Sequence, residues 1–106
     1  MQLGIIIYSN DAETVWNAFR LANFAVKQGD VVKIFLLAKG VEYEALSNER
    51  FTITEQAETF IQHGGTLLAC GTCLKSRNQN DSELCPLSTM SDLHTLVKES
   101  DKIISF

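Results

Sequence analysis

The sequence predicts an α/β fold built on a mostly parallel sheet, and three observations carry that expectation. Short apolar runs stand at residues 3–8, 31–37, 66–69 and 102–106, and the first two are apolar at nearly every position, as in strands buried on both faces. Between them lie stretches whose apolar residues recur at helical spacing. The resulting order, β-α-β-α-(α)-β-α-β-α-β, implies parallel strands joined by right-handed crossovers. The 106 residues suffice for a single domain spanning 1–106. With 45% hydrophobic and 21% charged residues, disorder is excluded as the general state of the chain.

Each element has a local reason. The first strand, residues 3–8, is rich in Ile and stops at Ser9-Asn10-Asp11. Asn10 or Asp11 can cap the helix that follows, and Glu13 suits the positive end of its dipole. That helix carries Ala12, Val15, Trp16, Phe19, Ala22 and Val26 on one stripe and ends at Gly29. Leu21 and Phe24 lie off the stripe, either as scattered surface apolars or as a subunit contact. The second strand is followed by a short helix over residues 40–46 and a loop over 47–51. Thr52-Ile53-Thr54-Glu55 has the form of a capping box for a helix through Ala57, Phe60 and Ile61 that stops at Gly64-Gly65. A third strand, 66–69, leads to Cys70, with a helical turn over 71–77 and a polar loop over 79–83. A short fourth strand over 85–88, a helix capped by Ser91 and carrying Leu93, Leu96 and Val97, and a last strand over 102–106 complete the chain.

Composition narrows the function. The chain has 9 Lys and Arg against 13 Asp and Glu, a net charge of −4, which argues against nucleic acid as a partner. No apolar run approaches the length of a membrane span. The first residues lack the basic and cleavage features of a signal peptide, so the expected location is cytoplasmic. In that compartment the 3 Cys are expected to be reactive, redox-active or metal-binding rather than disulfide-bonded.

The stretch Cys70-Gly71-Thr72-Cys73-Leu74-Lys75-Ser76-Arg77 concentrates the chemistry. Cys70 falls where a parallel strand ends, the side on which such sheets bind ligands. Gly71 permits close approach of another backbone. The following turn aims amide N–H groups and a positive dipole at the sulfur, and Lys75 and Arg77 add positive charge, all of which favours the nucleophilic thiolate. Cys73, inside the first turn, is expected to be the more buried thiol. Competing readings are a pair of small buried hydrophobes, a zinc or iron–sulfur site from Cys70, Cys73, Cys85 and His94, and a thioredoxin-type oxidoreductase with Pro86 as its active-site proline. Residues 8–14 open a helix as phosphate loops do, but they lack glycine and carry Asp11 and Glu13. His63 and His94 are assigned surface roles.

The segment Cys70 to Arg77 after a strand resembles the active-site segment of the DsrE/DsrF-like sulfur-relay family. The tail from Ser88-Thr89-Met90-Ser91-Asp92-Leu93 through Ser100-Asp101-Lys102-Ile103-Ile104-Ser105-Phe106 is similar to that family's closing helix and strand, and the opening strand-helix-strand is similar too. The resemblance implies a single-domain three-layer α/β sandwich with a mostly parallel five-stranded sheet flanked by helices, assembled as a homotrimer or homohexamer. It implies a persulfide carried on Cys70, taken from a sulfur donor protein and passed to an acceptor protein, with no cofactor and no metal. Cys73 departs from the one-cysteine members, which have a small residue there, and matches small two-cysteine members instead. It is thereby a candidate resolving or second acceptor thiol. Some members lack the cysteine and serve as structural subunits, so a non-catalytic oligomeric subunit and a Cys-rich metal-binding module stand as alternatives.

Overall fold

Hydrogen-bonded strands in the order β4-β3-β2-β1-β5 form one sheet, and every pairing is parallel. The computed structural model describes residues 1–77 and 87–106. Along the chain these are β1 (Gln2–Ile7), α1 (Ala12–Lys27), β2 (Val31–Leu36), a 3-10 turn (Ala38–Glu42), α2 (Tyr43–Leu46), α3 (Ile53–Gln62), β3 (Thr66–Cys70), α4 (Gly71–Lys75), β4 (Leu87–Ser88), α5 (Met90–Glu99) and β5 (Lys102–Ser105). The expected "mostly parallel" sheet is therefore wholly parallel among the described strands.

The strand order follows from crossover handedness. The steps β1 to β2 to β3 to β4 all run the same way across the sheet, so right-handed crossovers put α1 and α3 on one face. The step from β4 to β5 runs back across the sheet and puts α5 on the other face, giving three layers. Gly4 marks that second face: a Cβ there would lie 2.5 Å from Ser100 Oγ and 2.7 Å from Leu96 Cδ2. Leu3, Ile5 and Ile7, of opposite parity, face α1 and α3.

The core sits chiefly beneath α1 and α3. Phe19 and Phe60 meet edge to face at 6.5 Å, and Phe19, Phe60, Ile5, Ile7 and Ile34 are fully buried, while Phe35, registered with Ile6, is buried on the α5 face. Truncating such a Phe to Ala costs about 3–5 kcal/mol. Asn23, polar on a buried helix face, is held by donating from Nδ2 to the backbone oxygen (3.0 Å) and Oε1 (2.9 Å) of Gln56, tying α1 to α3. In contrast, all four residues of the edge strand β5 are exposed.

Two caps differ from expectation. Thr52 makes no side-chain cap bond; instead Ser47 Oγ, reaching in from the preceding loop, accepts from Thr54 N–H at 3.1 Å. The last helix is capped by Thr89, not Ser91, through a reciprocal box with Asp92, so it starts two residues earlier in chain order. In both cases several Ser and Thr stand near the helix start, and the chain path decides which one meets the free amides.

Candidate functional site

The β3–α4 junction lies at the carboxyl end of the sheet, between the ends of β2 and β4. Cys70 is both the last strand residue and the N-cap of α4, with extended backbone at φ −58° and ψ 115°. A side chain at that position faces the helix's first unpaired amides. Cys70 Sγ accepts from Cys73 N–H at 3.4 Å. Negative charge developing on that sulfur therefore meets the Cys73 amide. Gly71 lets the strands approach closely: a Cβ would lie 3.2 Å from Ser88 O on the neighbouring β4, a tight contact.

The relative burial of the two thiols is the reverse of expectation. Cys70 is 4% exposed, whereas Cys73 is half-buried. The reason is the sheet: Cys70 still belongs to an interior strand flanked on both sides, and Cys73, one helical turn onward, has left it. Burial, followed by the hydrogen bond to Cys70, pushes the Cys73 thiol above its usual range, against the opposing pull of Ala38 N–H and Arg77. At neutral pH Cys73 therefore keeps its proton. The two cysteines are free thiols.

A turn from β2 completes the surroundings. Ala38 N–H donates to Cys73 Sγ at 3.3 Å. Ala38 has φ +51°, the one non-glycine residue in the left-handed region among the described residues, a conformation that costs a residue with a Cβ about 1–2 kcal/mol. Leu37 N–H is tied to Ile7 O at 2.9 Å. Gly40 then lies so close to the end of β1 that a Cβ would sit 2.0 Å from Ile7 O. These contacts hold the turn down with the Ala38 amide aimed at sulfur. Arg77 clamps the far end of α4: its Nε donates to Glu42 Oε2 at 2.8 Å and its Nη1 to Cys73 O at 3.1 Å and Ser76 Oγ at 3.2 Å. The Arg77 hydrogen bond, helped by one from Asn10, holds the Glu42 carboxyl below the usual range. Arg77 is thus committed to a carboxylate rather than free beside Cys70, and Lys75 is exposed.

Beside this turn a cleft of about 370 Å³ is lined by Tyr8, Ser9, Asn10, Ala38 and Lys39. It does not read as a phosphate loop, because Asp11 Oδ2 already takes the first α1 amide available to it, from Thr14 at 2.9 Å. His63 caps the carboxyl end of α3, with Nδ1 on Thr59 O at 2.8 Å, and precedes the amino end of β3, away from Cys70; His94 is exposed on α5. Cys85 and Pro86, invoked in the zinc and thioredoxin-type readings, lie outside the described residues. No group of three or more metal-binding side chains occurs among the described residues, and no described helix is long and apolar enough to cross a membrane. Ala38 and the Glu42–Arg77 pair carried no signal in the sequence; Gly40 did, but as a helix start rather than a close approach.

Fold and site together define a small parallel α/β protein with a dithiol at the carboxyl end of its sheet. The whole chain, residues 1–106, belongs to the DsrE/DsrF-like family. It is 35% identical over 100 residues to the uncharacterized protein MJ0989 of Methanocaldococcus jannaschii, covering 89% of this chain and 88% of that one. It is 36% identical over 100 residues to the uncharacterized protein MK0008 of Methanopyrus kandleri, covering 89% and 83%. Its fold matches the crystal structure of the ychN protein from E. coli, with a TM-score of 0.84, 20% identity and all of both chains covered. It also matches a conserved protein of unknown function, BT1422, from Bacteroides thetaiotaomicron, with a TM-score of 0.80, 21% identity, and 99% and 94% of the chains covered.

Proposed function

We propose that the protein is a cytoplasmic sulfur carrier that holds sulfur as a persulfide on Cys70, receives it from a donor protein and passes it to an acceptor protein. The observation that carries this reading is Cys70 as the N-cap of α4 at the carboxyl end of β3, its Sγ bonded to the Cys73 amide, within a family linked to sulfur relay. A donor persulfide is attacked by Cys70 as thiolate: the bond from Cys70 Sγ to the outer sulfur forms, the donor's S–S bond breaks, and the donor leaves as thiolate. Arg77, Glu42 and Gly40 do not touch sulfur in this step; they position α4 and the turn against which it rests. Chemistry of this kind needs no cofactor.

The test is intact mass spectrometry after incubation with a cysteine desulfurase and cysteine. The wild-type chain gains one sulfur atom and Cys70→Ser gains none, while its fold persists because Ser is a good N-cap. Wild-type loading of Cys70→Ser overturns the assignment.

The proposal includes self-assembly as a homotrimer or homohexamer. Leu21 and Phe24 support it, being 37% and 62% exposed on the outer side of α1. Light scattering at micromolar concentration is expected to give a multiple of the chain mass; a monomer mass removes this part of the proposal.

A further inference from the structure

We infer that Cys73 converts the loaded carrier into a sulfide-releasing one: its thiol displaces the sulfur held on Cys70 as hydrosulfide, leaving a Cys70–Cys73 disulfide. This inference rests on the Cys70 persulfide reading. It goes further by naming the product, free sulfide, and the class of co-reactant, an external dithiol that restores the pair.

The geometry distinguishes release from relay. A persulfide on Cys70 has two sulfurs, the inner Sγ and the outer transferred atom. Attack on the outer atom would move the persulfide onto Cys73; attack on the inner atom expels hydrosulfide. The Cys73 backbone N–H bonds at 3.4 Å to Cys70 Sγ, the inner sulfur, and so holds residue 73 against that atom. The two residues stand at the N-cap and third position of one helical turn, a spacing that puts both side chains on one face. Cys73 is held there from two further sides. Ala38, in its left-handed conformation, directs its N–H at Cys73 Sγ, and Arg77 fixes the Cys73 carbonyl. The Ala38 amide is a donor to the attacking sulfur, so it stabilises the Cys73 thiolate at the moment of attack.

The step balances. The Cys73 proton leaves its sulfur, the Cys73–Cys70 S–S bond forms, and the persulfide S–S bond breaks with its electron pair on the outer sulfur. That sulfur takes the proton and departs as hydrosulfide, in equilibrium with hydrogen sulfide. The two cysteines are oxidised by two electrons in total and the released sulfur is reduced by two. A dithiol reductant then exchanges with the protein disulfide, so each turnover consumes one persulfide and one dithiol. Because the Cys73 thiol sits above its usual range, release is slow at neutral pH and quickens as pH rises.

The experiment uses the full chain in a Cys85→Ser background, so that the pair supplies the only thiols. The protein is loaded with a desulfurase and cysteine, freed of both, and incubated without reductant or acceptor. Sulfide is trapped with monobromobimane while intact mass is followed. The Cys73-containing chain is expected to lose the added sulfur, release one equivalent of sulfide, and end two hydrogens lighter than the dithiol. The Cys73→Ser chain should keep its added sulfur with a lifetime at least about tenfold longer, since the intramolecular nucleophile is gone. Equal lifetimes in both chains, or sulfide release without the disulfide mass, overturn this inference and leave the carrier reading standing. Absence of the added sulfur from both chains overturns the carrier reading and this inference with it.

Discussion

Two strand-to-helix junctions at the same end of the sheet are built alike but capped by different chemistry. At the β1–α1 junction the N-cap is Asp11, whose carboxylate takes both the N–H and the hydroxyl of Thr14 at 2.9 and 2.8 Å. At the β3–α4 junction the N-cap is Cys70, whose sulfur takes the N–H of Cys73 at 3.4 Å. Asp11 starts a helix of 16 residues and Cys70 one of 5. A carboxylate, ionised throughout the neutral range, saturates its amides and yields a structural cap. A thiol accepts weakly and leaves the same amides available to a sulfur whose charge and covalent state change. The short helix gains what the long one supplies for itself from outside contacts: the Glu42–Arg77 pair, the Ala38 amide and the β4 backbone against Gly71. Under the proposed function, the cap residue, more than the fold, separates a structural junction from a reactive one.

The largest way to break this contrast is Gly40→Ala. An added Cβ 2.0 Å from Ile7 O must lift the turn that joins the two junctions, taking the Ala38 amide away from Cys73. Overpacking of this kind costs about 1–3 kcal/mol, read as a lower urea midpoint, and sulfide release from the loaded chain should slow at the same time.

Arg77→Gln acts more narrowly. The ion pair is about one-third exposed on each side, so global stability should fall by no more than about 1 kcal/mol. Hydrogen exchange should nevertheless quicken at α4 amides and not at α1 amides, because the clasp holds one junction only. Equal changes at both helices would refute the idea that α4 depends on outside support.

Asp11→Asn sharpens the other side. The Thr14 hydrogen bonds lower the Asp11 pKa from its ordinary 3.8. The folded value lies below the unfolded one, so this contribution is fully present above about 3.8 and is lost as pH falls through the folded value. Asn caps nearly as well without titrating. The variant should match wild type in thermal melts at neutral pH and lose less stability on acidification, with persulfide loading unchanged.

The smallest effect is expected from Cys85→Ser. Asp81 and Glu83 precede this cysteine closely in sequence and disfavour a thiolate nearby. Loading in the desulfurase assay should equal wild type; loading as poor as that of Cys70→Ser would require a three-cysteine site.

What the sequence determined by itself is local and periodic. Strands buried on both faces, helices with one apolar stripe, and the breaks between them follow from side-chain chemistry repeated at periods of 2 and 3.6, so the element order and the parallel α/β class were legible. So was the placement of Cys70 at a strand end with Cys73 one turn on, because that needs only the element boundary and the spacing. Tertiary structure decided the rest. Which hydroxyl caps α3 and α5 depended on the path of the chain before each helix, and Ser47 and Thr89 took the roles expected of Thr52 and Ser91. Which thiol is buried depended on strand order, since an interior β3 encloses Cys70 between β2 and β4. Ala38 and the Glu42–Arg77 pair act on the site from 35 residues away in sequence, each contact being a meeting of two chain segments. Periodicity reports only on neighbours along the chain, and such meetings exist only once β2 and β3 lie side by side.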